Sequence, residues 1–173
     1  MRRAALAGVA VLVMAVVGVG LLAARESGPA LPGASGSGPR LELSGVDPIT
    51  GEQVDLAAFS GRPVVVNFWA SWCPGCYAEA EALKRFADAH PEVAVVGVNL
   101  QDARAGARDF YRQFGWTWPS IADPNGEIGA RLRLQGMPTT IFLDAEHREV
   151  TRIVGETDEA GFEAGLRQAT GET

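Results

Sequence analysis

The chain has 173 residues, 47% of them hydrophobic, with 21 acidic and 15 basic side chains and a net charge of −6. That length excludes a large multidomain enzyme, and the negative balance provides no field to draw in nucleic acid or an anionic membrane surface. Two cysteines and two histidines are too few for a multi-bridge disulfide scaffold or a zinc cluster of cysteines alone, so any cysteine chemistry rests on one pair.

In chain order, residues 4–24 are 21 residues without a charged or strongly polar side chain, long enough as a helix to cross the roughly 30 Å hydrocarbon core of a bilayer. Arg2 and Arg3 precede the run and would hold the N-terminus in the cytoplasm, leaving the rest of the chain exported. The run therefore reads as a single-pass N-terminal transmembrane helix. The alternative is a cleavable signal. Leu21 and Leu22 disfavour cleavage after Ala23 or Ala24, whereas Gly28 and Ala30 leave a small-x-small site open. In residues 25–39, ten of fifteen are Gly, Pro or Ser, a composition that cannot bury enough surface to fold and reads as a flexible tether. The first 39 residues take three arginines and one glutamate with them. Residues 40–173, the expected folded domain, are left with 12 basic and 20 acidic side chains, net −8.

Within that domain, residues 41–44 and 54–56 read as short opening strands with turns at Asp47-Pro48 and Thr50-Gly51. Residues 64–69 form an apolar run broken only by Asn67, which suits a strand covered on both faces. A helix is expected over 77–90, stopped by Pro91, then a strand over 93–98 and a helix over 104–114 closed by Gly115. Strands over 139–143 and 150–154 and a helix over 159–168 complete an α/β alternation with no internal repeat, which implies a sheet covered by helices.

Trp72-Cys73-Pro74-Gly75-Cys76 lies where the central strand gives way to the first helix. The two-residue spacing lets one thiol attack a disulfide while the other resolves the mixed disulfide. A helix N-terminus beneath Cys73 favours its thiolate by about 0.3–1 kcal/mol, so Cys73 is the expected nucleophile. A zinc site would need two further ligands, and His90 and His147 show no compact ligand spacing. Covalent haem attachment needs a histidine after the second cysteine, where Tyr77 stands. A purely structural disulfide would close too short a loop to restrain much chain entropy.

The run from Val64 through Asn67-Phe68-Trp69-Ala70-Ser71-Trp72 to Cys76 resembles the active-site strand and turn of thioredoxin-like proteins. Together with Gly136-Met137-Pro138-Thr139-Thr140 and an added segment over 101–118, it is most similar to their membrane-anchored TlpA/ResA/DsbE branch. The likeness covers about residues 41–168 and implies a thioredoxin fold, a central mixed β-sheet flanked by helices. It also implies a cis bond at Met137-Pro138, facing the cysteines, with the backbone of Met137 pairing with substrate. Sequence alone would favour the commoner trans form.

At about 100° per residue, Cys76, Glu79, Ala80, Leu83, Phe86 and Ala87 share one face of the first helix, opposite Glu81, Arg85 and Asp88. Glu79 is thus a carboxylate in an apolar stripe, where burial would raise its pKa towards the range useful for proton transfer. Its alternative is a solvated position at the edge of the stripe. ResA-like members place an active-site glutamate at the matching position. Asn67 stands where thioredoxin itself has a buried aspartate, so the usual thioredoxin proton acceptor is missing, which strengthens the case for Glu79. Trp72, Pro74 and Gly75 are expected with Met137 and Pro138 around a substrate groove, Trp69 is ranked behind Trp72 for that role, and Trp116 and Trp118 are expected to pack.

The resemblance implies a thiol-disulfide oxidoreductase on the outer face of the membrane that reduces protein disulfides, apocytochrome c among them, and is recharged by an upstream membrane reductant. No metal and no cofactor beyond the Cys73–Cys76 redox pair is implied. Two rival classes stay open. A peroxiredoxin-like peroxidase normally has Thr or Ser where Ala70 stands, and a thioredoxin-fold copper-delivery protein would prefer a longer cysteine spacing with a histidine ligand.

Overall fold

The structure, a computed structural model, describes residues 36–172; the expected anchor over 1–24 and the tether up to residue 35 lie outside them. Residues 36–39 lie against the folded part: the Gly36 N–H donates to Asp144 at 2.7 Å, and the Gly38 carbonyl accepts from Arg148 at 2.6 Å. Among the described residues no helix is long and apolar enough to cross a membrane.

The chain opens with an antiparallel hairpin of β1 (Ser44–Val46) and β2 (Gln53–Asp55). Its turn is held by the buried Asp47, whose Oδ1 accepts from the N–H groups of Ile49 and Thr50, the local bonding that suits aspartate to turns. Residues 41–43, expected as strand, pair with neither strand of the hairpin, although Leu43 is buried in the core. A 3-10 turn over Leu56–Phe59 follows, capped by Asp55.

The main sheet contains β3 (Val64–Trp69), β4 (Ala94–Leu100), β5 (Ser120–Asp123), β6 (Thr139–Leu143) and β7 (Glu149–Val154) in the order β5-β4-β3-β6-β7. β3, β4 and β5 run parallel, and β6 is antiparallel to both β3 and β7. The helices are α1 (Pro74–Ala89), α2 (Arg104–Phe114), α3 (Glu127–Arg131) and α4 (Glu159–Thr170). β5 and α3 were not expected. β5 is four residues with a single large apolar side chain, and α3 is a short helix behind Pro124-Asn125-Gly126, so neither has enough residues to display a period. α1 begins three residues before its expected start because Pro74 occupies the first helical position, where its missing N–H costs nothing.

Burial of β3 on both faces follows from period-2 alternation. Val65 and Trp69 point into a core with Leu83 and Phe86 of α1, Phe110 of α2 and Phe162 of α4. Val64, Val66 and Phe68 point into a second core with Leu43, Leu56, Val96, Ile121 and Ile141. Each such large side chain contributes roughly 1.5–3 kcal/mol by leaving water. Asn67, fully buried, shares the α1-facing parity with Val65 and Trp69. α4 lies tight against the sheet at Gly165, where a Cβ would lie 2.3 Å from Cζ of Phe142.

Candidate active site

β3 ends at Trp69, and the chain then turns through Ala70–Ser71–Trp72 into α1. Cys73 is the N-cap of that helix, in extended backbone, and its Sγ accepts from the Cys76 N–H at 3.2 Å. Cys73 and Cys76 are joined in a disulfide with Cα atoms 5.3 Å apart. Cys73 exposes 3% of its surface and Cys76 none. The helix N-terminus, with its unpaired N–H groups, therefore sits beneath the sulfurs, the position in which a thiolate is favoured once the bond is reduced.

The loop before the disulfide is clamped from the connection between β4 and α2. Asp102 accepts from the Ser71 N–H at 2.6 Å and the Ser71 hydroxyl at 2.7 Å, as well as from Asn99 Nδ2 at 2.9 Å and the Ala103 N–H at 2.8 Å. Gly106 makes the approach possible, since a Cβ there would lie 2.2 Å from the Ser71 hydroxyl oxygen. Asp102 was not singled out in the sequence. Its signal was positional, because it follows β4 at the carboxyl end of the parallel strands, where sites form in open α/β sheets.

Trp72 is 54% exposed, and its indole N–H donates to the Gln101 carbonyl at 3.1 Å. Trp69, by contrast, is fully buried against Phe110, Tyr111 and Trp116 and donates to Ser120. Trp116 is also buried, its indole N–H spent on the Ala80 carbonyl. Trp69 and Trp116 thus pack in the core, whereas Trp72 stands at the surface. The Met137-Pro138 bond is cis. Pro138 abuts the turn between the cysteines, for a Cβ on Gly75 would lie 2.9 Å from its Cδ. Met137 is half-buried.

Glu79 exposes 1% of its surface, one turn beyond Cys76 on the buried face of α1. Its Oε1 accepts from Asn67 Nδ2 at 2.8 Å, and its Oε2 accepts from the Thr157 N–H at 3.2 Å. Burial is the dominant influence on this carboxyl and raises its pKa from the ordinary 4.5 to about 7. The two hydrogen bonds partly oppose the rise, and the nearby Glu156 charge adds to it. Asn67 donates also to the Thr140 hydroxyl at 3.0 Å, while its Oδ1 has no partner among the described residues. An amide can present a donor or an acceptor by rotation, so Asn67 can face Glu79 in either protonation state without itself taking up or losing a proton. Thr157 and Glu156 come from the connection after β7, where no local pattern marked them, and Thr140, though part of the Met137-Pro138 motif, carried no sign of this contact. A cleft of about 480 Å³ lined by Asp47, Ile49, Val54, Tyr111, Trp116 and Trp118 among others includes none of the residues around the disulfide.

A mixed sheet of this order, with a CxxC pair at the start of the helix after the central strand and a cis-proline against it, defines a thioredoxin-like protein. The Redoxin family model matches residues 36–167, and the chain belongs to that family. Among curated relatives, the thiol:disulfide interchange protein DsbE of Vibrio cholerae is 33% identical over 117 residues, 67% of this chain and 62% of that protein. The soluble secreted antigen MPT53 of Mycobacterium tuberculosis is 32% identical over 98 residues, 57% of each chain. The matches thus span about three-fifths of these relatives' own lengths. Among solved structures, a DsbF homologue from Corynebacterium diphtheriae superposes with a TM-score of 0.69 at 32% identity, covering 74% of this chain and 84% of that one.

Proposed function

We propose that the chain is a membrane-anchored, extracytoplasmic thiol-disulfide oxidoreductase that reduces disulfides in exported proteins. The observation that carries the reading is the Cys73–Cys76 disulfide seated on the first turn of α1, with Cys73 as the helix cap and Glu79 buried one turn below. In the reductive direction the Cys73 thiolate attacks a partner disulfide, forming a mixed disulfide and releasing one partner thiolate. The Cys76 thiolate then attacks Cys73 Sγ, releases the second partner thiol and regenerates the Cys73–Cys76 bond. Two electrons pass to the partner.

Glu79, with a pKa of about 7, is suited to hold the proton that Cys76 gives up and to return it when the pair is reduced again. Trp72, Met137, Pro138 and Gly75 surround the disulfide and form the surface a partner chain lies on. Export and anchoring rest on the apolar run of residues 4–24 behind Arg2 and Arg3, and the pair is recharged by a membrane thiol reductant. Apocytochrome c, whose cysteines must be reduced before haem is joined to them, is the substrate to which the family likeness points.

A Cys76→Ser chain, unable to resolve, should accumulate as a mixed disulfide through Cys73 with its exported partners, separable on non-reducing gels. Capture of no protein thiol would remove the reading. Equilibration against glutathione measures the direction, and a potential of about −120 mV, the oxidant end of CxxC proteins, would overturn reduction as the physiological role.

A further inference from the structure

The segment after β7 brings an unassigned carboxylate to the reactive turn. A Cβ on Gly75 would lie 3.1 Å from Oε2 of Glu156 as well as 2.9 Å from Pro138 Cδ. Glu156 therefore stands on the turn between the two cysteines, beside the cis-proline. Its neighbours on both sides are tied down. The Gly155 N–H donates to the Pro138 carbonyl at 2.8 Å, with Gly155 in the left-handed region at φ +94°, and the Thr157 N–H donates to Glu79.

The other acids of this segment are committed. Asp158 caps α4 through the Gly161 N–H at 2.9 Å, and Glu159 pairs with Arg85 at 2.8 Å. Glu156 is exposed and makes no side-chain hydrogen bond or ion pair among the described residues. The cleft it lines with Ala78, Thr157 and Asp158 holds no basic side chain. A solvated, unpaired carboxylate whose backbone is tied on both sides, beside a reacting disulfide, acts on whatever charge the incoming chain carries next to its own sulfur.

We propose that Glu156 is a specificity-determining residue, favouring partner disulfides flanked by a lysine or arginine and disfavouring those flanked by an acid. The inference rests on the thiol-disulfide exchange reading and names the class of substrate it prefers. The exchange itself is the two-electron transfer described above, with the Cys73–Cys76 dithiol, reduced beforehand with dithiothreitol and freed of excess reagent, as the electron donor.

The test uses the full chain in detergent and two disulfide peptides that differ only in carrying Lys or Glu beside the reacting cysteine. The initial rate of reduction is followed by the fluorescence change near Trp72. In 10 mM salt the Lys peptide should react about tenfold faster than the Glu peptide, and the ratio should fall towards one in 0.5 M salt, where the screening length is about 4 Å. Glu156→Gln should abolish most of the preference at low salt. Glu81→Gln, which removes the same charge from the exposed face of α1, should leave it intact. Equal rates for the two peptides on the unaltered chain would overturn the proposal. So would a Glu156→Gln effect of equal size on both peptides, which would mark a general influence on the thiols. Failure to reduce either peptide would instead remove the exchange reading beneath it.

Discussion

Substituting Glu79 by Gln isolates the cost of burying this carboxyl. In the unfolded chain it ionises at about 4.5, in the folded protein at about 7. Between those values the unfolded state gives up a proton that the folded state keeps. A raised carboxyl pKa therefore contributes stability that is fully present below pH 4.5 and is lost as pH rises through 7. At 1.36 kcal/mol per pKa unit the loss amounts to about 3 kcal/mol. Gln cannot ionise, so its stability lacks that slope.

The Gln amide also turns one N–H pair towards either Asn67 or the Thr157 N–H, both of which are donors in the present geometry. With Asn67 held as it is, that mismatch costs on the order of 1–3 kcal/mol at every pH, and rotation of the Asn67 amide to present its Oδ1 lessens it equally at every pH. The informative quantity is accordingly the change in the difference between the two proteins. Urea unfolding of the oxidised proteins at pH 4.5 and pH 8 should show Glu79→Gln gaining about 3 kcal/mol on the unaltered protein between the two conditions. A difference that stays within about 0.5 kcal/mol across that range would show that Glu79 ionises as an ordinary carboxyl, and the proton-carrying role would go with it.

Other perturbations act on separate parts of the same frame. Asn67→Asp sets two carboxyls across the 2.8 Å gap that the amide now bridges; they cannot both ionise, so carboxyl titration by infrared spectroscopy should show one proton held to well above pH 7. Asp102→Ala leaves four donors without their acceptor, two on Ser71 of the active-site loop, one on Asn99 of β4 and one on Ala103 at the start of α2, and should cost about 2–4 kcal/mol in urea unfolding at pH 7, less than the sum of separate bonds because they share one carboxylate. Gly165→Ala is a helix-favouring change that should nevertheless lower the melting temperature. Its Cβ meets the Phe142 ring at 2.3 Å, and overpacking costs about 1–3 kcal/mol against the roughly 1 kcal/mol gained in helix propensity.

His90, at the C-terminal end of α1, is bonded to Glu163 at 2.7 Å and Glu92 at 3.0 Å. Desolvation pulls its pKa down, but the two carboxylates outweigh it and the net direction is up. Its contribution is present below the ordinary 6.5 and lost as pH rises through the raised value. His90→Gln should thus destabilise by about 0.5–1 kcal/mol at pH 6 and by little at pH 9.

Where a segment's own residues decide its structure, the sequence was readable. The apolar run of β3, the stripe of α1 and the left-handed Gly115 that ends α2 all matched. Glu79 could be placed on the buried face because helical geometry fixes which residues share a stripe. Its partners could not, since Asn67, Thr140 and Thr157 meet it only after β3, β6 and the β7–α4 connection have been assembled. The same reason hid Glu156, which is unremarkable beside its acidic neighbours until the fold commits each of them and leaves it alone next to Gly75. β5 and α3 were lost for a different reason. Elements of four and five residues are held by their surroundings, Ser120 by Asp47 and Gly129 by Asp123, more than by any pattern of their own.

The Asp102 clamp has a consequence for how the protein opens. The amide hydrogens of Ser71 and Ala103 lie 32 residues apart yet end on one carboxylate, which couples the opening of the reactive loop to that of the start of α2. Releasing either one breaks bonds to the carboxylate that also holds the other. A partner that needs the loop to yield must also draw on the packing of α2 around Phe110, and the added helical segment becomes part of what governs how readily the disulfide is reached.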